Sequence, residues 1–210
     1  MSTPDTGPST VKALARQEAR ARRRSQDRPD PGAIADVVLA WLNDVPGPAR
    51  RGRLGGPAGP KRVTCYASYG TEPETAALRI ALAAAGYEVL LPRVVDDHLE
   101  WVLDGHETTT STMGIAEPTG PSVPLAPVRA MLIPALAVTI AGDRLGKGGG
   151  YYDRVLSALE ASSTVVAAIV HDSDITDEIP CEPHDRRVDW ILTPTRAIEC
   201  SGALPEKPDC

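Results

Sequence analysis

Apolar residues in the N-terminal part of the chain recur with helical spacing. From Val11 to about Arg24 the sequence is rich in Ala, Arg and Glu, which favours a helix. After Pro31 the apolar positions follow the i, i+3, i+4, i+7, i+8, i+11 pattern of one helical face. These positions are Ile34, Val37, Val38, Trp41, Leu42 and Val45. The pattern predicts two helices within residues 11–45, the second with its apolar face against a core.

Beyond residue 61 the hydrophobic pattern changes to short apolar runs of strand length. Helical patterns separate several of these runs, which is typical of an α/β fold with a mainly parallel sheet flanked by helices. The predicted strands are Arg62–Ser68, Glu88–Val94, Leu99–Asp104, Ala130–Pro134, Val165–Val170 and Trp190–Thr193. A further apolar run, Leu136–Ile140, follows Pro134, where the chain is expected to leave a buried strand. In such sheets, ligands bind outside the carboxyl ends of the strands.

Two helices are predicted between these strands. The first begins with Thr71 as N-cap, Pro73 in the first turn and Glu74 closing a capping box. It runs through Ala85 and ends at Gly86, the residue type expected after a helix C-terminus. The second begins near residue 150 and buries one face. That face consists of Tyr152, Val155, Leu156 and Leu159.

Composition divides the chain into one folded domain with flanking segments. Residues 1–10 are predicted as a disordered leader and residues 201–210 as a tail, so a single domain spans 11–200. Within it, a Pro- and Gly-rich linker over 46–61 follows an N-terminal helical arm. Residues 105–128 are predicted as a Thr-, Pro- and Gly-rich loop, and loops of that length are usually functional or mobile.

The bulk composition narrows the classes of function. Hydrophobic residues make up 42% and charged residues 24% of the 210 residues, as in an ordinary globular protein. The net charge of −6 argues against general nucleic-acid binding. Because no apolar run reaches the length of a membrane span or a signal-peptide core, we expect a cytoplasmic protein that binds no membrane. We also expect a monomer that binds no nucleic acid. The 4 cysteines form no CxxC pair and are expected to be reduced thiols. The 4 histidines show no zinc-ligand spacing, so no zinc site is expected.

The strongest candidate chemistry lies in the segment GDRLGKGGGYYDR, residues 142–154. It is not a Walker A motif, since Gly148 stands where that motif has a hydroxyl residue, and Tyr151 breaks the dinucleotide fingerprint. Successive glycines can nevertheless turn their N–H groups inward as an anion nest, and a following helix N-terminus adds its dipole. With the positive charges of Lys147 and Arg144, these features favour a phosphate site. The alternative is a tight turn that permits close packing of a strand and a helix.

Carboxylates near this segment are candidates for binding magnesium. Asp153, in the first turn of the predicted helix, either complements the helix dipole or shares Mg²⁺ with phosphate oxygens. Magnesium in proteins usually takes one or two carboxylates together with phosphate oxygens, so a second carboxylate is wanted. The residues alone leave two candidates, Asp185 and Asp189.

Taken together, the motifs of the chain resemble those of a known enzyme family. The stretch P-A-L-A…G-D-R-L-G-K-G-G-G-Y-Y-D, Pro134–Asp153, closely resembles the signature of the 5-formyltetrahydrofolate cyclo-ligase family, also called methenyltetrahydrofolate synthetases. Weaker motifs fall in the family's order along nearly the whole chain after residue 10. They are K-x-x-x-R at Lys12–Arg16, E-x-E-T at Glu72–Thr75, L-P-R at Leu91–Arg93 and P-x-E-P-H-D-x-x-V-D at Pro180–Asp189.

The resemblance implies an ATP- and Mg²⁺-dependent conversion of 5-formyltetrahydrofolate to 5,10-methenyltetrahydrofolate, with ADP and phosphate as products. Ring closure must expel the formyl oxygen, and hydroxide is a very poor leaving group. In the family's mechanism that oxygen attacks the γ-phosphate of ATP, and N10 then closes on the activated carbon as phosphate departs. The protein would contribute positioning and charge stabilisation.

The resemblance also implies roles for individual residues. Lys12 and Arg16, which with Arg20 form a solvated charged stripe by spacing alone, match the family's N-terminal ATP contacts. Lys147 is implied as the catalytic residue against the transferring phosphate, and Asp153 and Asp185 as the metal ligands. The implied ATP-binding residues are Lys12, Arg16, Arg144, Leu145, Gly146, Lys147, Gly148, Gly149, Gly150, Tyr151 and Tyr152. The implied folate-binding residues are Glu72, Lys147, Gly148, Gly149, Gly150 and Tyr151. A carboxylate at Glu72 suits the paired N–H donors of a pterin ring.

The chain departs from the family in its aromatic residues, because it has no Phe. Tyr66, Tyr69, Trp101 and the tyrosine pair at 151–152 are therefore expected to supply the flat surfaces of a folate pocket. Two other functions stay open at this stage. One is a related ATP-dependent enzyme with a different substrate, and the other is a non-catalytic folate- or nucleotide-binding regulator.

Overall fold

A computed structural model describes residues 8–26, 30–45, 61–110, 114, 116–125, 127–159, 164–182 and 184–201. The predicted linker lies outside these ranges except for its last residue, as do the first part of the leader and all but the first residue of the tail. The described helices are α1 (Pro8–Arg24), α2 (Ala33–Asp44), α3 (Ala76–Ala84) and α4 (Tyr151–Ala158). In the described part of the chain, none of these helices combines the length and the apolar character that crossing a membrane requires.

After residue 61 the described chain forms mainly strands. In chain order they are β1 (Arg62–Thr64), β2 (Glu88–Val95), β3 (His98–Leu103), β4 (Thr108–Thr110), β5 (Ala116–Pro118), β6 (Ser122–Val123), β7 (Ala130–Pro134), β8 (Ala137–Val138), β9 (Arg144–Leu145), β10 (Val165–Ile169), β11 (Trp190–Leu192) and β12 (Ala197–Glu199). Helix α3 lies between β1 and β2, and α4 lies between β9 and β10.

The main sheet has the strand order β12-β11-β10-β7-β1-β2-β3-β6. Its centre, from β11 to β2, is parallel, with Val63 of β1 paired to Val89 of β2 on one side and to Ala130 of β7 on the other. Both edges are antiparallel, through β12 at one end and through β3 and β6 at the other. The prediction of a mainly parallel sheet flanked by helices is confirmed.

Helices cover both faces of this sheet because its central strands are apolar on both sides. In β7, Leu132 faces the cluster built with α2 and α3, whereas Met131 and Ile133 face the cluster that includes Leu156 of α4. Burial of each such aliphatic side chain contributes about 1.5–3 kcal/mol. A smaller cluster packs Ala19 of α1 against Leu136, Ala137 and Leu145, so that α1 lies on the β8–β9 hairpin. This contact brings the N-terminal helix to the glycine-rich segment.

The predicted capping box at Thr71 is wrong, since α3 begins only at Ala76 after Thr75. The hydroxyl of Thr75 donates to the backbone carbonyl of Tyr66 at 2.6 Å, and the Glu72 carboxylate accepts the backbone N–H of Tyr69 at 2.9 Å. Residues 66–75 therefore form a hydrogen-bonded turn instead of a first helical turn. The same contacts explain why β1 ends at Thr64 and not at Ser68 as predicted.

Other boundaries also differ from the predictions. Helix α1 begins at Pro8, inside the predicted disordered leader. The segment 105–128, predicted as one loop, contains β4 and β5, which pair with each other, and β6, which joins the main sheet. Strand β12 has no counterpart among the predicted strands, because its burial is partial and its apolar pattern is short.

Candidate functional site

A cavity of about 540 Å³ lies at the carboxyl ends of the central parallel strands, where ligands of such sheets bind. Tyr66 follows β1, Pro134 ends β7, and Pro92 and Val94 belong to the second half of β2; all four line the cavity. Every residue to which the family resemblance assigned a catalytic, ATP-binding, folate-binding or metal-binding role also lines it. These residues are Lys12, Arg16, Glu72, Arg144, Leu145, Gly146, Lys147, Gly148, Gly149, Gly150, Tyr151, Tyr152, Asp153 and Asp185. Residues from both ends of the chain thus meet in a single cavity.

The glycine-rich segment connects strand β9 to helix α4 along the wall of this cavity. Gly148 has φ +110° and Gly150 has φ +64°, a left-handed backbone that side chains rarely tolerate. Gly150 is the N-cap of α4, so the helix begins where the sequence predicted and directs its N-terminal N–H groups and dipole toward the segment. This arrangement suits an anion such as a phosphate.

Helix α1 contributes three cationic residues to the lining of the cavity, Lys12, Arg16 and Arg20. The Nζ of Lys12 lies 2.6 Å from a carboxylate oxygen of Glu182 and 2.6 Å from one of Asp185, and the Lys12 side chain is 6% exposed. Burial lowers the pKa of Lys12, but the hydrogen bonds and charges of the two carboxylates outweigh it, so the pKa is raised above its ordinary value. Arg16 donates from Nε to the backbone carbonyl of Gly146 at 3.1 Å. These contacts hold α1 over the glycine-rich segment.

Asp153, one of the two predicted metal ligands, is paired with Arg144. The Nη2 of Arg144 lies 2.5 Å from Oδ1 of Asp153, and the Arg144 side chain is almost fully buried. The same oxygen accepts the backbone N–H of Arg186 at 3.2 Å. Asp153 therefore has the position in the first turn of α4 that the sequence predicted, together with a buried cation that the sequence did not predict as its partner.

Asp185, the other predicted metal ligand, belongs to a cluster of possible ligands with Glu182 and His184. One ligand atom from each of the three residues lies within 4.8 Å of the others. The two carboxylates of this cluster are hard oxygen donors that suit Mg²⁺, although Lys12 already neutralises part of their charge. Glu182 and His184 were not predicted as site residues, although the motif that contains Asp185 includes both. Asp189 is used elsewhere, because its Oδ2 accepts the backbone N–H of Val166 at 2.9 Å.

Lys147, within the glycine-rich segment, contacts Glu72. Its Nζ is 2.8 Å from Oε1 of Glu72 and 4.3 Å from the centre of the Tyr69 ring. The Glu72 side chain is only 5% exposed, whereas that of Lys147 is 37% exposed. A buried carboxylate is thus held beside the glycine-rich segment by a cation that has room to move.

Tyrosines provide the aromatic surface of the cavity. Tyr66, Tyr69, Tyr151 and Tyr152 line it. The guanidinium of Arg154 lies 5.0 Å from the centre of the Tyr151 ring. The prediction that Trp101 contributes to this surface is wrong, because Trp101 of β3 is buried in the core cluster on the α4 side of the sheet.

The fold and the cavity together define a class of protein. An α/β sheet that brings a basic glycine-rich segment, buried carboxylates and tyrosines to its carboxyl edge is typical of an enzyme that binds a phosphorylated ligand and a second, flat molecule.

Comparison with known proteins specifies the class. Residues 53–194 match the model of the 5-formyltetrahydrofolate cyclo-ligase family. The 5-formyltetrahydrofolate cyclo-ligase of Mycolicibacterium smegmatis is 38% identical over 174 residues, which cover 78% of this chain and 84% of the relative. The chain belongs to the 5-formyltetrahydrofolate cyclo-ligase family and is an enzyme of the ligase class.

Solved structures agree with the fold. The 5,10-methenyltetrahydrofolate synthetase of Aquifex aeolicus has a TM-score of 0.68 and covers 92% of this chain and 95% of its own. The synthetase of Mycoplasma pneumoniae has a TM-score of 0.64 and covers 86% of this chain and 97% of its own. Both are 19% identical in sequence to this chain, so the likeness shows the shared fold.

Proposed function

We propose that this enzyme converts 5-formyltetrahydrofolate to 5,10-methenyltetrahydrofolate and that it consumes ATP with Mg²⁺, releasing ADP and phosphate. The observation that carries the proposal is the contact of 2.8 Å between Lys147 and Glu72. It joins a segment suited to phosphate with a buried carboxylate suited to the N–H donors of a pterin ring. Two ligands bound at these positions would meet at Lys147.

The chemistry explains why such an enzyme needs both ligands in one cavity. The formyl oxygen leaves poorly as hydroxide, whereas phosphate is a good leaving group. Transfer of the γ-phosphoryl group to that oxygen breaks the bond to ADP, and attack by N10 on the same carbon then forms the new C–N bond as phosphate departs. The protein must therefore hold the formyl oxygen in line with the γ-phosphate and exclude water from the site.

Each wall of the cavity suits one of these tasks. Backbone N–H groups of the glycine-rich segment and the N-terminus of α4 would bind the phosphates, with Lys12 and Arg16 of α1 closing over them. The buried Glu72 would orient the pterin ring through charge-assisted hydrogen bonds. Lys147 would stabilise the negative charge that develops on the transferring group.

Magnesium fits the carboxylates on the polar wall. Asp153 and Asp185, together with Glu182, would hold the ion beside the phosphates. Bound there, Mg²⁺ would neutralise charge on the phosphate oxygens. In the structure, Arg144 neutralises Asp153 and Lys12 neutralises Asp185. If Mg²⁺ bound the two carboxylates, both cations would be free to turn toward the phosphates.

The contact between Lys147 and Glu72 also suggests how the two ligands bind. Each residue neutralises the charge of the other in the free enzyme. Because the Lys147 side chain is partly exposed, its ammonium group can move away from Glu72. When both ligands bind, Glu72 would accept the pterin N–H groups and Lys147 would turn to the γ-phosphate. Neither charge would then be left unpaired in the buried site.

The proposal is tested by incubating the purified chain with 5-formyltetrahydrofolate, ATP and Mg²⁺ and following the absorbance of methenyltetrahydrofolate. The absorbance should rise in the complete mixture and stay flat when ATP or Mg²⁺ is omitted. No rise in the complete mixture would refute the proposal. ATP hydrolysis without the methenyl absorbance would instead indicate a related enzyme with a different substrate.

A further inference from the structure

Tyr66 has a buried hydroxyl group without a hydrogen-bond partner in the part of the chain that the structure describes. The residue is 3% exposed and follows β1 at the carboxyl edge of the sheet. Leaving a buried donor unpaired costs about 1–3 kcal/mol, so such groups are rare in folded proteins. Because the Tyr66 side chain lines the cavity, a ligand in the cavity can supply the missing acceptor.

The surroundings of Tyr66 indicate which ligand would do so. Tyr66 belongs to the apolar core cluster that includes residues of α2 and α3, and it lines the cavity together with the apolar residues Pro92, Val94 and Pro134. Burial, with the charge of Glu72 second, raises the pKa of Tyr66 well above its ordinary value, so the hydroxyl stays protonated as a donor. Glu72, which also lines the cavity, is the carboxylate proposed above to accept ring N–H groups.

We infer that Tyr66 is a substrate-binding residue whose hydroxyl donates a hydrogen bond to the ring carbonyl of the bound folate. In a pterin ring this carbonyl is next to the N–H group that a carboxylate accepts. Glu72 and Tyr66 would therefore hold one edge of the ring together, as acceptor and donor. The inference rests on the proposed function.

The substitution Tyr66→Phe tests the inference because it removes only the hydroxyl. In the free enzyme it removes an unpaired donor, so the melting temperature should rise by about 2 °C or more. Affinity for 5-formyltetrahydrofolate, measured by calorimetry without ATP, should fall about tenfold, which corresponds to about 1.4 kcal/mol. Affinity for ADP should stay within about twofold of the wild type, since the nucleotide end of the cavity is unchanged.

A matched control is Tyr87→Phe, which removes a partly buried hydroxyl from a residue that does not line the cavity. The control should leave both affinities unchanged. A Tyr66→Phe variant that melts earlier and binds 5-formyltetrahydrofolate as well as the wild type would overturn the inference and assign the hydroxyl a structural role. Wild-type enzyme that fails to bind 5-formyltetrahydrofolate would overturn the proposed function as well, so the two failures are distinguishable.

Discussion

The buried ion pair between Arg23 and Asp174 is expected to anchor α1 to the rest of the protein. Arg23 donates to Asp174 from Nε at 2.9 Å and contacts the same carboxylate oxygen from Nη2 at 2.8 Å. The Nη2 group also donates to the backbone carbonyl of Ala135 at 2.5 Å. Since Lys12 and Arg16 of α1 line the cavity, loss of this pair should weaken both the fold and the proposed binding of the nucleotide.

The substitution Asp174→Asn removes the negative charge with little change in shape. The two side chains are 1% and 0% exposed, so the Arg23 charge would be left buried without compensation. Breaking such a pair costs about 3–5 kcal/mol. For a protein of this size, each kcal/mol lowers the melting temperature by about 2–4 °C, so a decrease of about 6–20 °C is expected.

Thermal unfolding followed by circular dichroism measures this decrease, and Glu88→Gln is the matched control. Glu88 pairs with Arg62 at 2.7 Å, but its side chain is 53% exposed, so the control should cost less than about 1 kcal/mol. ADP affinity should fall for Asp174→Asn and stay unchanged for the control. A decrease in melting temperature no larger than that of the control would refute the assignment of Arg23 and Asp174 as the anchor of α1.

Three further predictions concern the site and the thiols. Lys147→Ala should reduce turnover by about 10²-fold or more, and near-normal turnover would show that this lysine does not contact the phosphate. Asp185→Asn should raise the Mg²⁺ concentration needed for half-maximal activity more than Asp189→Asn does, and the reverse order would reassign the ligand. Burial raises the pKa of Cys65 and that of Cys200 to about 12. Alkylation at pH 8, mapped by mass spectrometry, should therefore spare both thiols until the protein unfolds. Labelling of either thiol in the native protein would contradict this prediction.

Sequence patterns correctly predicted the elements whose bounds depend on residues close to one another in the chain. The apolar stripe of α2, the bounds of β7 and the start of α4 at Gly150 all agree with the structure. In each case the decisive residues are near one another in the chain, as with the left-handed glycine that precedes α4.

The start of α3 and the pairing of Lys12 were not predicted, because both depend on contacts between residues that are separated in the sequence. Thr71 looked like an N-cap, but the hydroxyl of Thr75 binds the backbone of Tyr66, and this contact moves the helix start to residue 76. The pairing of Lys12 with Glu182 joins opposite ends of the chain, so no sequence window contains it. The resemblance to a family, and not periodicity, predicted that Lys12 belongs to the site.

The proposed function requires that ring closure is coupled to phosphoryl transfer from ATP. The most direct test measures methenyltetrahydrofolate and inorganic phosphate in the same reaction of the wild-type enzyme with 5-formyltetrahydrofolate, ATP and Mg²⁺. If the two steps are coupled, the two products form in equal amounts throughout the time course. Methenyltetrahydrofolate formed without phosphate, or phosphate released without methenyltetrahydrofolate, would contradict it.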